Sequence, residues 1–281
     1  MRWMAALLLL LSAAPASAET SPFLKPTDPV PGHPGLTWLD LVRQAVPSLA
    51  KTDDGDIEGS LKTPPPRHIG GASFEGDPPD PVTLGDIEVK HILAGGQKRM
   101  VVMADLGPDP DRVQSQTLLL LFDEGPNPKL LDVVDVGLDK DTVFDDPQHL
   151  SLGPGDDALV TVSEHDDADL AYDGRAVVFV RGDRFRLIAD FYAITETNCG
   201  WRQDQTPRFT TRPDPGSPYL ALDIAVTHKI VHLPDDDCGD PIPKAVTRTY
   251  EALYRWDAKL GRFTTTSTAL KRLDKLNGMG P

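Results

Sequence analysis

Cysteine, aromatic rings, positive charge and long apolar runs are all scarce in this chain. There are two cysteines, Cys199 and Cys238. With no Cys-x-x-Cys and no histidine at finger-like spacing, they argue against a thiolate metal centre or a redox motif. Aromatic residues make up 6% of the chain, which is thin for the clustered flat faces of a sugar binder built on Tyr172, Trp201 and Tyr219. Lysine and arginine number 28 against 43 acidic residues. Such a surface repels phosphate backbones and anionic lipid and disfavours nucleic-acid binding, but attracts cations and basic partners. Past residue 18 no segment approaches the ~20 apolar residues that span a bilayer. The longest run, Thr117 to Phe122, is strand-sized, so no transmembrane segment is expected in the mature chain.

The apolar run that does exist sits at the start. Met1-Arg2-Trp3-Met4 opens the chain, an apolar stretch follows to Ala14, and Ala16-Ser17-Ala18 closes it. A charged start, a short greasy core and a small-x-small end describe a cleaved secretory signal. The mature chain is then expected to begin near Glu19, in the periplasm or outside the cell. Loss of Arg2 takes the formal charge from −15 to −16. In an oxidising compartment Cys199 and Cys238 are expected to pair. Closing so long a loop stabilises the fold by roughly 4 kcal/mol on chain entropy.

Residues 19–35 form a proline-rich leader, with Pro22, Pro26, Pro29, Pro31 and Pro34. Residues 36–84 read as a short helix followed by a low-order linker. Thr37-Trp38-Leu39-Asp40 has the form of a capping box, and Trp38, Leu39, Val42 and Val46 share a helical face. From residue 85 to 281 short Val/Leu/Ile/Phe/Thr runs alternate with Gly, Pro and Asp clusters, the pattern of a β domain.

Three loosely similar units recur there, each a strand, an acidic loop, a strand, a turn and a strand. The first covers 99–136, the second 158–191 and the third 219–267. Gly182-Asp183 fits a two-residue I′ or II′ hairpin turn. No gap between strands has room for a crossover helix, so the strands should be antiparallel. The expected fold is mostly β: an antiparallel meander of about ten strands with short N- and C-terminal helices. It closes as a sandwich or as a propeller-like array of three hairpin-containing units. The C-terminal helix spans 267–277, with Leu270, Leu273 and Leu276 on one face and Gly278 as its stop.

The acidic loops carry the only recurring chemistry. They hold Asp105, Asp109 and Asp111 in the first unit. The second has Glu164, Asp166, Asp167 and Asp169, and the third Asp235, Asp236 and Asp237. Hard oxygen donors gathered at one edge would suit calcium, although no loop carries a full ligand pattern. Asp54-Gly55-Asp56-Ile57-Glu58-Gly59 starts like a calcium loop, but Pro65 stands where its bidentate glutamate belongs. Gly153-Pro154-Gly155-Asp156-Asp157-Ala158 matches G-x-G-x-x-A, yet a β-rich run rather than a helix follows, so it reads as a turn. His228 and His232 would chelate zinc on a helix; in a strand they lie ~13 Å apart. His165, flanked by Glu164 and Asp166 as orienting groups, is the candidate acid–base residue.

These observations lead to an exported, non-enzymatic binding or envelope-associated module, with calcium or a basic protein as ligand. A periplasmic hydrolase working through His165 and its neighbouring carboxylates, and a structural protein with no ligand, are the alternatives.

Overall fold

The computed structural model describes residues 23–62, 64–71, 80–108, 115–167, 170–234 and 241–279, with the backbone alone at 146–149 and 167. The expected signal, Asp109, Asp111, Asp169, Asp235, Asp236, Asp237 and Cys238 lie outside these residues, as does the side chain of Asp167.

Fifteen strands and two helices are formed among the described residues. Helix α1 (Trp38–Val42) starts at Thr37, where the hydroxyl and the Asp40 carboxylate close the expected capping box. Beside it lies a small sheet of β1 (Ala50–Lys51), β2 (Ile57–Gly59) and β3 (Val82–Thr83). A four-stranded sheet follows, ordered β4 (Ile87–Ala94), β5 (Gln97–Pro108), β6 (Ser115–Asp123) and β7 (Leu130–Asp135). Eight strands make the third sheet, adjacent in sequence order: β8 (Lys140–Gly153), β9 (Asp156–Asp167), β10 (Leu170–Val180), β11 (Phe185–Asn198), β12 (Trp201–Arg212), β13 (Ala221–His232), β14 (Val246–Asp257) and β15 (Arg262–Thr264). Helix α2 (Ala269–Leu276) follows.

Every ladder between these strands is antiparallel, as the short connections require. The fold is mostly β and sandwich-like, with more strands than the meander read from the sequence. The three units do not close as radial blades. The first lies in the four-stranded sheet, and the second and third share the large sheet, joined by β12.

Burial on both faces explains the most apolar strands. In β6, Leu118, Leu120 and Phe122 join one core with Trp38, Leu41 and Val42. Leu119 and Leu121, on the opposite face, join a second core with Val178 and Phe185 of the large sheet. Strict alternation over a two-sided strand turns an unbroken apolar run into two layers. Each such side chain contributes about 2 kcal/mol by leaving water. Strand β10 repeats this: Ala176, Val178 and Val180 face the second core, and Val177 and Phe179 a third. The third core lies between β8–β11 and β12–β15, under α2. The segment expected to be a low-order linker places Leu49, Ile57, Val82 and Leu84 in the first core.

The large sheet is forked. β11 pairs with β12 only over Thr195–Asn198 and Trp201–Asp204. Beyond that the strands part, and the end of α2 enters the gap. Tyr192 N–H donates to Asp274 (2.9 Å), and the Asn277 amide donates to Tyr192 C=O (3.2 Å). Ile194 N–H donates to Gln205, whose amide in turn donates to Asn277. The backbone groups that a continuous ladder would have paired are thus satisfied by side chains. Gly278, at φ 73°, ends the helix as expected. Leu270 and Leu273 are buried, but Leu276 is 55% exposed.

At the Gly182-Asp183 turn both φ angles are positive (58° and 56°), which makes it type I′. At Gly137, by contrast, space is decisive: a Cβ there would lie 2.3 Å from the Ser115 carbonyl oxygen.

Candidate functional site

Chemistry-bearing side chains converge where the start of β4 and the end of β5 meet the start of β8 and the end of β9. The chain turns from β7 into β8 through Gly137-Leu138-Asp139, and Asp139 is almost fully buried there. Its carboxylate accepts from His165 Nδ1–H (2.9 Å), from the Tyr172 hydroxyl (2.5 Å) and from Lys140 N–H (2.8 Å). Since an ionised carboxylate only accepts, the His165 ring carries its hydrogen on Nδ1 and keeps Nε2 as the open nitrogen. The ring lies parallel to that of Tyr172, with centroids 4.5 Å apart and planes 9° apart. Burial, and then the bond to Asp139, push the Tyr172 hydroxyl well above the usual phenol range.

This corrects the expected partners. Glu164 and Asp166 do not orient His165, because neighbours in a strand point to the opposite face of the sheet. The orienting carboxylate, Asp139, comes from another strand connection. On the His165 face of β9, the Ser163 hydroxyl is spent on Thr142 (2.7 Å) and on Leu138 N–H (3.0 Å). Among the described residues no hydroxyl or thiol bonds to His165 Nε2.

A pocket of about 210 Å³ has a lining that includes Asp86, Glu88, Asp105, Asp141 and Thr142. Asp141 is set by a break in register between Lys140 and Thr142, and it adopts a left-handed φ of 38°. A bulge of this kind re-aims one side chain out of the ladder. Burial raises the Asp105 pKa, and the Asp141 and Asp86 charges raise it further; its bond from Gly107 N–H opposes them. Glu164 is shifted upward too, by desolvation and then by Asp173 and Asp166, with Asp141 adding to the effect. Asp141 therefore links Asp105 of the first unit with Glu164 of the second. Asp86, Asp105 and Asp141 form no ion pair among the described residues.

No three of the described His, Cys, Asp and Glu side chains stand close enough to share one metal ion. His228 and His232 both lie in β13, as their extended surroundings implied; one contacts Gln203 and the other the Pro243 carbonyl. Gly153-Pro154-Gly155 is the turn between β8 and β9. The Gly155 carbonyl accepts from Gly96 N–H of the β4–β5 turn (2.8 Å), so two hairpin tips clasp each other.

Bulge geometry is invisible to periodicity, so no residue pattern marks Asp141 in advance. Asp86 likewise stands alone before the mixed run Ile87-Glu88-Val89-Lys90. Among the described residues no helix is long and apolar enough to cross a membrane. The chain matches no protein-family model, no curated protein and no solved structure.

Proposed function

We propose that the chain is an exported binding module without enzymatic activity, whose acidic pole receives a basic segment of a partner protein. The carrying observation is the placement of Asp86, Asp105 and Asp141, from two sheets, around one open pocket, with none of the three in an ion pair among the described residues. Carboxylates spread too widely for one ion suit several separate ammonium or guanidinium groups instead. Asp141 and Asp86 add to the upward shift that burial gives Asp105, so an incoming cation relieves repulsion already present in the free protein. Export rests on the N-terminal signal pattern. A Cys199–Cys238 disulfide belongs with it: Cys199 is not a free thiol, and the chain leaves β13 beside it, with Leu233 N–H donating to Gly200 C=O (2.8 Å).

The test is binding of fluorescent oligolysine to the wild type and to the triple variant Asp86→Asn, Asp105→Asn, Asp141→Asn, at low and high salt. Saturable binding that weakens with salt, and falls about tenfold or more in the variant, is the expected result. Binding that ignores either change refutes the proposal. Calcium is titrated in parallel. A calcium site that the same substitutions abolish would replace the basic partner as ligand.

The Asp139–His165 pair favours a second reading, a hydrolase in which His165 Nε2 acts as general base. Wild type, His165→Ala and Asp139→Asn are screened against ester, glycoside and phosphoester panels. Turnover abolished by His165→Ala supports this reading, and absence of wild-type turnover removes it.

A further inference from the structure

The opposite chemistry appears on another part of the molecule. Between β14 and the outer face of α2 runs an open groove of about 660 Å³, lined by Arg248, Thr249, Tyr250, Arg272, Lys275 and Leu276. Arg67, Arg99, Arg175, Arg202 and Arg255 each pair with an aspartate elsewhere in the fold. The three groove cations have no such partner among the described residues. In a chain of formal charge −15, three cations thus stand together at one groove with no carboxylate paired to them.

The helix dipole accounts for Lys275, in the last turn of α2. It does not account for Arg248, which projects from a strand across the groove. The one carboxylate of α2, Asp274, is turned to Tyr192 N–H and forms no ion pair with the groove cations. Directly across the β13–β14 ladder from Arg248 lies His228. Burial and the Arg248 charge push the His228 pKa down, so the positive field comes from the arginines and the lysine alone. The groove also has an apolar side: the ring of Tyr250, which packs against the third core, and Leu276 at 55% exposure.

We infer that this groove binds a small amphiphile with an oxyanion head, phosphate or carboxylate, held by Arg248, Arg272 and Lys275, with its apolar body laid against Tyr250 and Leu276. Guanidinium forks on two elements match the oxygens of such a head. An apolar wall beside a few convergent polar groups is the usual form of a small-molecule site. This site is independent of the acidic pole, and either can fail without the other.

The test is calorimetric titration of the full mature protein at low salt with decyl phosphate and with decanoate, below micelle formation. Inorganic phosphate and decyl glucoside serve as the head-only and tail-only arms. Saturable one-to-one binding of at least one anionic amphiphile is expected, about tenfold or more tighter than either arm. Arg272→Gln/Lys275→Gln, and separately Arg248→Gln, each weaken it about tenfold per cation removed. All three residues are exposed, so an unchanged melting temperature verifies folding. No saturable binding by either amphiphile overturns the inference. Equal affinity for inorganic phosphate or decyl glucoside, or full affinity in both variants, overturns it as well.

Discussion

Raising the pH from 4 to 8 should destabilise this protein, and Asp135 should be a principal cause. Asp135 closes β7, is 2% exposed, and holds Gly137 N–H at 3.0 Å. Burial lifts its pKa from the ordinary 3.8 to about 7, against the lowering effect of bonds from Gly137, Thr117 and Val136. In the unfolded chain the carboxyl ionises near 3.8, whereas the folded protein keeps the proton until about pH 7. Between those values the unfolded state binds fewer protons, so stability is full below the lower pKa and is lost as pH rises through the upper one. About three pH units at about 1.4 kcal/mol each gives about 4 kcal/mol. Asp105, Glu164 and Asp274 are shifted in the same direction and steepen the fall. Asp135→Asn keeps an acceptor for Gly137 and removes the titration. Urea unfolding of wild type and variant across this range reads the effect. The wild-type curve should fall relative to the variant by about 4 kcal/mol on going from acid to mildly alkaline pH. Two curves separated by a constant offset would refute the reasoning.

Gly137→Ala sets a Cβ 2.3 Å from the Ser115 carbonyl oxygen of β6, in the connection between β7 and β8. A loss of about 3 kcal/mol or more is expected, read from thermal melts. Phe179, 1% exposed, meets Tyr219, Trp256 and Phe263 edge-on. Phe179→Ala should therefore cost about 3–5 kcal/mol in urea unfolding. Asn277→Ala removes the bonds to Tyr192 C=O and Gln205 and should cost about 2 kcal/mol. Amide exchange of Ile194 should quicken in the same variant, whereas that of Leu120 in β6 should change no more than global stability demands.

Hairpins were the most legible part of the sequence, because each is written locally. Gly182-Asp183 between Val177–Val180 and Phe185–Ile188 leaves little choice, and Thr117 to Phe122 reads as a strand whatever it packs against. Strand β12 was not legible: Trp201–Arg212 contains Pro207 and mostly polar residues, with only Gln205 and Phe209 buried. At Gln205 its inner face meets a helix terminus and amide side chains, and only Phe209 reaches the third core. Strand β8 was obscured by Pro147, by consecutive charges and by three breaks in register. Of the candidate site, His165 was legible as a histidine among carboxylates. Its true partner was not, since Asp139 lies 26 residues away and is delivered by a strand connection. Alternation alone could have ruled out Glu164 and Asp166, as both flank a residue in an extended run.

The wedge formed by α2 joins residues more than eighty positions apart, Tyr192 with Asp274 and Asn277. Closing so long a loop is entropically expensive and is repaid only once the strands on both sides are in place. Until then the parted strands offer bare amides and carbonyls, an invitation to strand addition from another molecule. The helix therefore works as a keystone: it arrives after the arch it locks, and its seating separates a chain prone to self-association from one that is sealed.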